Sequence, residues 1–431
     1  MKEQDPKMII TANDPSLKSW VEVRPGSDFP IQNLPFGIFQ TADTQPRVGV
    51  AIGDYVLDLK MLAHEGFFEE LHIPESVFAQ PYLNELMAFG KEKTSALRNR
   101  IADLLNDENE DLRDEEDLLP DLLVPMKEAK MLMPVLVRDY TDFYSSKEHA
   151  TNVGTMFRDP ENALLPNWKH LPVGYHGRAS SIIVSGEPIR RPKGQRKDGD
   201  KDQPVFGPSG RLDFELEMAF VTCKENKLGD SISTVQADDY IFGFVLFNDW
   251  SARDMQAWEY VPLGPFLAKN FASSVSPWVV TLDALEPFRV AGPKQEPEVL
   301  PYLKAEGLNN FDINLEVGIQ PKGAAEKVVC RSNFKHMYWN IRQQLAHHTI
   351  NGCNINIGDM YASGTISGPT PDSYGSMLEL AWKGTKPIPM PDGSTRSFLQ
   401  DGDTVTMRGF AEKDGIRIGF GEVKAEILPA T

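Results

Sequence analysis

The strongest constraint on the fold comes from residues 211–220, RLDFELEMAF, in which charged and apolar side chains alternate. Asp213, Glu215 and Glu217 fall on one side, and large apolar residues fall on the other. Successive side chains of a β-strand point to opposite faces, so the pattern predicts a half-buried strand with three carboxylates on one sheet face. Like charges side by side destabilise a sheet, so this arrangement requires an explanation.

Two explanations of the three carboxylates are open at this point. An antiparallel sheet often has one face in water, and the polar side of this strand would then simply be acidic. Alternatively, Glu215 and Glu217, two residues apart on a strand, both offer oxygen to a hard cation such as Ca²⁺ or Mg²⁺. Further ligands elsewhere in the chain would favour the cation.

The rest of the chain reads as a strand-rich protein in two parts. Residues 29–60 carry short β-type runs with a hairpin around Gly53-Asp54, and residues 78–123 have helical spacing that ends in prolines. We therefore place a small β-rich N-terminal domain with an acidic connector at residues 1–130 and a large domain at 131–431. Strands are predicted in the large domain at 181–185, 212–222, 241–248, 277–282, 311–319, 359–363, 376–383, 403–410 and 416–428.

One segment of the large domain has helical spacing instead. In SNFKHMYWNIRQQLAHHTINGCN, apolar residues recur every three or four positions, Ser332 is a candidate N-cap, and Asn351-Gly352 supplies a stop. Because strands dominate elsewhere, the large domain is predicted to be a many-stranded β-sandwich or roll with a few helices.

Composition excludes several classes of partner. The 431 residues carry a net charge of −18, and residues 103–121 alone contribute −9, which is typical of a solvated helix or connector. The chain has no basic run, which argues against nucleic acid. Three cysteines without C-x-x-C spacing indicate a reducing compartment. The start, MKEQDPKMIITANDPS, lacks an apolar core and no stretch reaches 18 apolar residues, so a cytoplasmic location without membrane spans is expected.

Residues 242–271 are the densest run of functional side chains. Asp249 follows an apolar strand, where a metal ligand or catalytic acid is often held, but it can equally be the N-cap of a helix in WSARDMQAWEY. Both interpretations stay open. The run continues with the polar residues Arg253, Asp254, Gln256, Glu259, Tyr260 and Lys269.

His149 is a candidate general base in residues 138–168, a stretch that looks like a loop and also holds Asp142, Tyr144 and Arg158. A surface histidine is the alternative. The neighbouring pair His347-His348 is interpreted as structural, because adjacent helical residues point about 100° apart.

Glu379 is the third candidate. In the predicted strand SMLELAW it shares a mainly apolar face, which is costly unless a partner such as a histidine is present. Thr365, in the turn GTISG, is either a site residue or a turn former. The chain contains no G-x-x-x-x-G-K-[ST], no G-x-S-x-G and no H-E-x-x-H motif, and no G-x-G-x-x-G after a strand.

Taken together, several blocks of sequence resemble the fumarylacetoacetase (fumarylacetoacetate hydrolase) family over residues 28–429. The most specific are DYTDFYSS, ENALLPNW, HLPVGYHGRASSI, NDWSARD, WEYVPLGPFL, SNFKHMYW and ASGTISG. The resemblance implies a mainly β fold, with a small N-terminal SH3-like barrel followed by a large β-sandwich roll. It also implies a homodimer.

The resemblance further implies roles for individual residues. A Ca²⁺ or Mg²⁺ ion would be bound by Asp142, Glu215, Glu217 and Asp249, which leaves Asp213 without a role. His149 would be the base, oriented by Glu379. Substrate contacts would come from Tyr144, Arg158, Gln256, Tyr260 and Thr365, and charge stabilisation from Arg253, Gln256 and Lys269. A second cation would use Asp249, Lys269 and Ser273, although serine replaces the usual threonine and Ala272 replaces a glycine.

The implied activity is metal-dependent hydrolysis of a carbon–carbon bond in a 1,3-diketo acid. The substrate would be 4-fumarylacetoacetate, the products fumarate and acetoacetate, and the pathway tyrosine and phenylalanine breakdown. Two alternatives remain: another hydrolase, decarboxylase or isomerase of the same family, and a non-catalytic Ca²⁺-binding β-sandwich module. The module would require the carboxylates, but it gives no reason for His149, Lys269 and a buried Glu379.

Overall fold

A computed structural model describes residues 10–197, 199 and 203–431. Residues 1–9, which belong to the starting segment MKEQDPKMIITANDPS, lie outside the described residues. The strands are β1 (Phe36–Gln40), β2 (Arg47–Ile52), β3 (Tyr55–Asp58), β4 (Leu123–Pro125), β5 (Lys130–Leu132), β6 (Tyr140–Phe143), β7 (Gly174–His176), β8 (Ile182–Val184), β9 (Ile189–Arg190), β10 (Lys193–Arg196), β11 (Val205–Pro208), β12 (Leu212–Asp213), β13 (Leu216–Thr222), β14 (Ile241–Asp249), β15 (Ser251–Ala252), β16 (Ser273–Val275), β17 (Trp278–Thr281), β18 (Arg289–Val290), β19 (Asn310–Phe311), β20 (Asn314–Gln320), β21 (Lys327–Asn333), β22 (Met360–Ala362), β23 (Ile388–Pro389), β24 (Thr395–Arg396), β25 (Thr404–Lys413) and β26 (Ile416–Leu428).

Short helices connect and cover these strands. The α-helices are α1 (Leu59–His64), α2 (Glu75–Phe78), α3 (Asn84–Met87), α4 (Gly90–Leu105), α5 (Leu119–Leu122), α6 (Lys147–Phe157), α7 (Arg253–Glu259), α8 (Leu282–Leu285), α9 (Ile341–Thr349) and α10 (Met377–Leu380). None of the described helices is long and apolar enough to cross a bilayer.

The largest sheet runs through the whole molecule. Its main path is β4-β3-β2-β1-β17-β14-β13-β22-β6-β7, so strands from both predicted domains share it. The predicted hairpin at Gly53-Asp54 is confirmed as the antiparallel pair β2–β3. The described residues form no closed barrel in this region, since β1 also pairs with β17, antiparallel, with Phe36 opposite Val279. The observed fold is thus a mixed, sheet-rich one.

A second sheet, in the order β21-β20-β25-β26-β9, packs against the first. The predicted strand 416–428 is confirmed residue for residue as β26, and the predicted strands 311–319 and 403–410 overlap β20 and β25. Apolar side chains of both sheets, among them Phe220, Phe244, Leu315 and Phe420, form the larger hydrophobic core.

A second core lies on the opposite face of the main sheet, and it overturns the solvent-facing interpretation of residues 211–220. Ala219 and Val221 of β13 pack in this core with the N-terminal helices, whereas Met218 and Phe220 pack in the first. With a core on each side, every residue of β13 is buried. The predicted single half-buried strand is wrong in a second respect, since the chain breaks between β12 and β13.

Two further expectations are corrected. The predicted strand 376–383 is wrong, because the Ser376 hydroxyl accepts the N–H of Glu379 at 3.3 Å and starts the helix α10. The helix predicted to begin after Ser332 starts later, at Ile341, where Asn340 and Gln343 form a capping box. Residues 327–333 continue instead as β21.

Candidate active site

Four carboxylates converge where neighbouring strands of the main sheet end or begin. Asp142 lies on β6, Glu217 on β13, Asp249 at the end of β14, and Glu215 immediately before β13. Each residue offers one oxygen, and these oxygens all lie within 4.8 Å of one another. All four side chains are buried. The convergence follows from strand pairing, since β13 pairs with β14 on one side and with β22, the neighbour of β6, on the other.

The electrostatics of this cluster favour a bound cation. Burial, reinforced by the negative charge of the neighbouring carboxylates, raises the pKa of Asp142 and of Glu217 well above the usual range. Asp142 Oδ1 and Glu217 Oε1 are buried and find no hydrogen-bond partner among the described residues. Buried oxygens of this kind normally have a partner. An all-oxygen set of carboxylates suits a hard divalent cation, and the cluster can therefore hold a metal ion.

Lys269 and Arg253 neutralise one edge of the cluster. The Lys269 ammonium lies 2.5 Å from Glu215 and 2.6 Å from Asp249, and Arg253 Nη1 lies 2.6 Å from Glu215. Burial alone would raise the pKa of Glu215, but the two cations outweigh it and lower that pKa. Glu215 is thus the member of the cluster that stays ionised most readily.

Asp249 does not cap a helix, so that interpretation is wrong. The cap residue of α7 is Ala252, which makes no side-chain cap. Asp249 Oδ1 accepts the Ser273 hydroxyl at 2.9 Å, and Oδ2 accepts Lys269 and, at 3.3 Å, the Tyr175 hydroxyl. Both carboxylate oxygens therefore accept hydrogen bonds from other side chains.

His149 lies in the first turn of α6 and not in a loop, contrary to expectation. The Ser146 hydroxyl accepts the backbone N–H of His149 and begins this helix. His149 is buried, and its Nδ1 lies 2.7 Å from Glu379 Oε2. With Nδ1 bonded to a carboxylate, Nε2 is the ring nitrogen left to exchange a proton with a substrate or water.

Three more side chains hold the Glu379 carboxylate. Asn152 donates to Oε1 at 2.9 Å, Ser376 donates to Oε2 at 2.8 Å, and the Ser367 hydroxyl lies within 3.0 Å of both oxygens. Burial would raise the pKa of Glu379, but His149 and these hydrogen bonds outweigh burial and lower it. The anion is therefore fixed in charge and in position.

The remaining predicted residues divide into two groups. Tyr144 packs edge-on against the His149 ring at a centroid distance of 5.2 Å, Gln256 accepts from Arg253 at 3.1 Å, and the buried Thr365 hydroxyl lacks a partner among the described residues. Arg158 and Tyr260, in contrast, lie at exposed positions, and Arg158 donates to the carbonyl of Ala163. The second group is thus distinguished from the first by its exposure to solvent.

Sequence reasoning missed the residues that support the site. Ser376 was detectable, since S-x-x-E is a helix-start pattern, but the strand interpretation of SMLELAW concealed it. Asn152, Ser367 and Tyr175 carry no local signal, because their partners are distant in sequence. His347 and His348 lie outside this set and bond to Tyr302 and Thr141.

Comparison with known proteins matches the chain along almost its whole length. The family model for the fumarylacetoacetate hydrolase C-terminal domain matches residues 139–428, and that for the fumarylacetoacetase N-terminal domain matches residues 32–134. The fumarylacetoacetase of Homo sapiens is 54% identical over 414 residues, covering 96% of this chain and 99% of that protein. The fumarylacetoacetase of Dictyostelium discoideum is 54% identical over 420 residues, covering 96% and 98%.

A solved structure supports the fold alone. The fumarylacetoacetate hydrolase from Exiguobacterium antarcticum aligns with a TM-score of 0.53 over 92% of this chain and 99% of that chain, at 17% sequence identity.

Proposed function

The chain belongs to the fumarylacetoacetate hydrolase family, and from this premise we infer that it hydrolyses fumarylacetoacetate to fumarate and acetoacetate, a step of tyrosine and phenylalanine catabolism. The observation that carries the inference is that His149, held by Glu379, lies close enough to the four-carboxylate cluster for its charge to contribute to the lowered pKa of Glu215. A histidine base can activate water, and a cation site can stabilise the charge that develops when a 1,3-diketo acid is hydrolysed.

We assign the proton transfers to His149. Neutral His149 takes a proton from water at Nε2, and the hydroxide attacks the carbonyl carbon next to the fumaryl group. Glu379 holds the ring through Nδ1 and stabilises the imidazolium that forms. When the carbon–carbon bond breaks, the electron pair leaves with the acetoacetate carbon, which the imidazolium then protonates.

Arg253, Gln256 and Lys269 would stabilise the negative charge that develops on the attacked oxygen. In support, Arg253 and Lys269 are both buried, and the carboxylates around them raise their pKa above the usual range although burial opposes this. Both therefore remain cationic. Asp142, Glu215, Glu217 and Asp249 would hold a divalent cation, which we propose to be Ca²⁺ or Mg²⁺ and which would supply Lewis acidity.

The substrate carboxylates would be bound by Arg158 and by the hydroxyl groups of Tyr144, Tyr260 and Thr365. Support comes from the buried Thr365 hydroxyl, whose lack of a partner among the described residues leaves it available to a ligand. Tyr260 and Arg158 lie at exposed positions, and we propose that they contact a charged end of the substrate as it enters.

We also propose a second cation beside Asp249 and Ser273, whose oxygens lie 2.9 Å apart. The ammonium group of Lys269 has no lone pair, so any ligand atom from Lys269 would have to be its backbone carbonyl. Calcium titration of a Ser273→Ala variant tests this, since one class of sites should remain. Two unchanged classes of sites would contradict the assignment.

A homodimer is proposed on the same basis, and a patch of apolar side chains supports it. Residues 258–267, WEYVPLGPFL, expose their large apolar side chains, with Phe266 67% and Leu263 95% exposed. Monomeric proteins rarely leave large contiguous apolar patches uncovered. Light scattering at micromolar concentration should give about twice the chain mass of 48.2 kDa; an active monomer would contradict the proposal.

Two finer assignments remain proposals. We place an SH3-like N-terminal β domain with its acidic connector at residues 1–130, and a β-sandwich roll at residues 131–431. The family models, which meet between residues 134 and 139, support this division. We also propose a cytoplasmic location, supported by the three cysteines, which are all described and all unpaired.

The experiment that tests the function is incubation of the purified protein with fumarylacetoacetate, with and without EDTA. Loss of the substrate absorbance, together with formation of fumarate and acetoacetate, is the expected result. EDTA should stop the reaction, and added Ca²⁺ or Mg²⁺ should restore it. Carbon dioxide or an isomer as the product would indicate a related family activity. No turnover with intact metal binding would indicate a binding module.

A further inference from the structure

Asp213, the one carboxylate of residues 211–220 that is not part of the cluster, has three hydrogen-bond donors. It is fully buried. Its Oδ2 accepts from Arg253 Nε at 2.8 Å and from the backbone N–H of Leu378 at 3.0 Å, and its Oδ1 accepts from the N–H of Met377 at 2.7 Å. Asp213 therefore joins an arginine to the start of α10.

These two partners belong to opposite halves of the site. The helix α10 carries Glu379, which immediately follows Leu378 and holds the His149 ring. Arg253 contacts Glu215 of the carboxylate cluster at 2.6 Å and Gln256 at 3.1 Å. One buried side chain thus connects the group that holds the base with the group that stabilises the developing charge.

We propose that Asp213 is a positioning residue that sets the distance and orientation between the His149–Glu379 pair and Arg253. The proposal rests on the proposed function, since it concerns the same reaction. The base must reach the attacking water while Arg253 reaches the attacked oxygen, and a misplacement of about 1 Å between such groups can lower the rate by about 10²-fold.

The molecule contains a matched aspartate remote from the site. Asp58 is also fully buried, accepts from Arg47 Nε at 2.5 Å, and accepts the N–H groups of Lys60 and Met61 at the start of α1 at 3.0 and 3.2 Å. Like Asp213, it accepts from one arginine and from two backbone N–H groups at a helix start, but neither Arg47 nor α1 contacts or carries a residue proposed for the site. Asp58→Asn therefore measures what losing such a contact costs in stability alone.

The first experiment compares Asp213→Asn with Asp58→Asn in the full-length, metal-loaded protein. Asparagine keeps the shape but replaces one acceptor oxygen with a donor that faces other donors. We expect both variants to lose thermal stability. For Asp213→Asn, kcat should fall by about 10²-fold while KM changes by less than about threefold, since ground-state binding is retained. Asp58→Asn should keep the wild-type kcat. Equal kcat values for both folded variants would overturn the proposal.

A double-mutant cycle separates a positioning role from a purely structural one. It compares the effect of Asp213→Asn on kcat in the wild type and in Glu379→Gln. If Asp213 acts through Glu379, adding Asp213→Asn to Glu379→Gln should lower kcat by less than about tenfold, because the pair is already impaired. The full 10²-fold loss in both backgrounds would show independent action and would overturn the proposal.

Two further measurements separate failure of the proposed role of Asp213 from failure of a variant to fold and from failure of the proposed function. If Asp213→Asn does not fold, Asp213→Glu replaces it: the charge stays, but the extra methylene group displaces Arg253 or α10. A folded Asp213→Glu protein should then have a reduced kcat, and a wild-type kcat would overturn the proposal. Wild-type turnover is measured in the same assay. If the wild type does not hydrolyse fumarylacetoacetate, the proposed function fails; if it does and the variants match it, only the role of Asp213 fails.

Discussion

The carboxylate cluster and the His149–Glu379 pair are neighbours in one buried site, but they differ in how well the protein satisfies them. Both oxygens of Glu379 have hydrogen-bond donors, supplied by four side chains of the chain itself. In the cluster, Asp142 Oδ1 and Glu217 Oε1 have no donor among the described residues.

The difference shows that folding alone provides hydrogen-bond partners for one half of the site but not for the other. A buried acceptor without a partner costs free energy, and a buried charge without a partner costs more. The pair has its partners as soon as the chain folds, whereas the cluster obtains a partner for its oxygens only by binding a proton or a cation. The two halves should therefore respond differently to metal removal, to pH and to the loss of single side chains.

The largest effect is expected from a change in the cluster. Asp249→Asn or Glu217→Gln should abolish measurable activity and reduce the thermal stabilisation by added Ca²⁺, because each removes a proposed ligand. Differential scanning fluorimetry with and without Ca²⁺, beside a turnover assay, measures both. Asp403→Asn, at a buried Arg396–Asp403 ion pair, serves as the control and should keep both properties. Full activity in a rigorously metal-free preparation would contradict the prediction, because it would show that the cluster needs no cation for activity.

A change confined to the pair should give a smaller and different effect. Glu379→Gln keeps the shape but removes the negative charge beside His149. This disfavours the protonated ring, so the acidic limb of the kcat/KM profile should move to lower pH. At the plateau, kcat should fall by about 10²-fold, the contribution of a positioned base.

The Ca²⁺-induced thermal shift should survive in Glu379→Gln, since Glu379 is not a proposed ligand. Its loss would reassign Glu379 to the cation site. An unchanged acidic limb would show that Glu379 does not act through His149.

The pH dependence of metal binding tests the cluster without mutation. Because burial and neighbouring charges raise the pKa of Asp142 and Glu217, each carboxylate holds a proton at a pH where an ordinary one is ionised. A cation must displace these protons, so apparent Ca²⁺ affinity should rise with pH and binding should release protons. Calorimetry in two buffers of different ionisation enthalpy would measure the release. Binding that is independent of pH would contradict the raised pKa values.

The raised pKa values of Asp142 and Glu217 also determine whether the stability of the folded protein rises or falls with pH. A carboxylate whose pKa is raised on folding stabilises the folded state below its unfolded-state pKa, near 4, and this contribution is lost as pH rises towards the folded-state pKa. Metal-free protein should therefore lose stability with rising pH above about 4 through these groups, and the stabilisation by Ca²⁺ should grow over the same range. Thermal unfolding across pH, with and without Ca²⁺, checks both trends.

The local sequence pattern predicted secondary structure correctly where residues close in sequence determine it. The strand 416–428 was predicted to the residue because its apolar positions and flanking turns have no competing pattern. The alternation of residues 211–220 placed Glu215 and Glu217 on one face, as the structure does, but it could not reveal that a second core covers that face. Burial of this face depends on the N-terminal helices, which are distant in sequence.

The wrong predictions also arise from contacts between residues that are distant in sequence. SMLELAW alternates like a strand, but a hydroxyl at Ser376 and a buried acceptor at Asp213, 163 positions earlier than Ser376 in the sequence, favour a helix start instead. The role of Asp213 was likewise invisible, because its partners Arg253 and Met377 are brought to it only by the fold. Candidate ligands could be predicted from residue type, whereas the side chains that orient them could not.

The smallest effect is expected from a single donor to the pair, and it tests whether that half of the site is redundantly held. Asn152→Ala removes one hydrogen bond to Glu379 Oε1, but the Ser367 hydroxyl still lies 2.9 Å from the same oxygen. A hydrogen bond to a charged group contributes about 1.5–3 kcal/mol, and the remaining donors should recover part of it, so kcat should fall by about three- to tenfold. Thr151→Ala is the matched control: Thr151 lies on the same helix, its hydroxyl donates to the Lys147 carbonyl, and its loss should leave kcat unchanged. A loss as large as that of Glu379→Gln would show that the pair depends on every donor, as the cluster depends on every ligand.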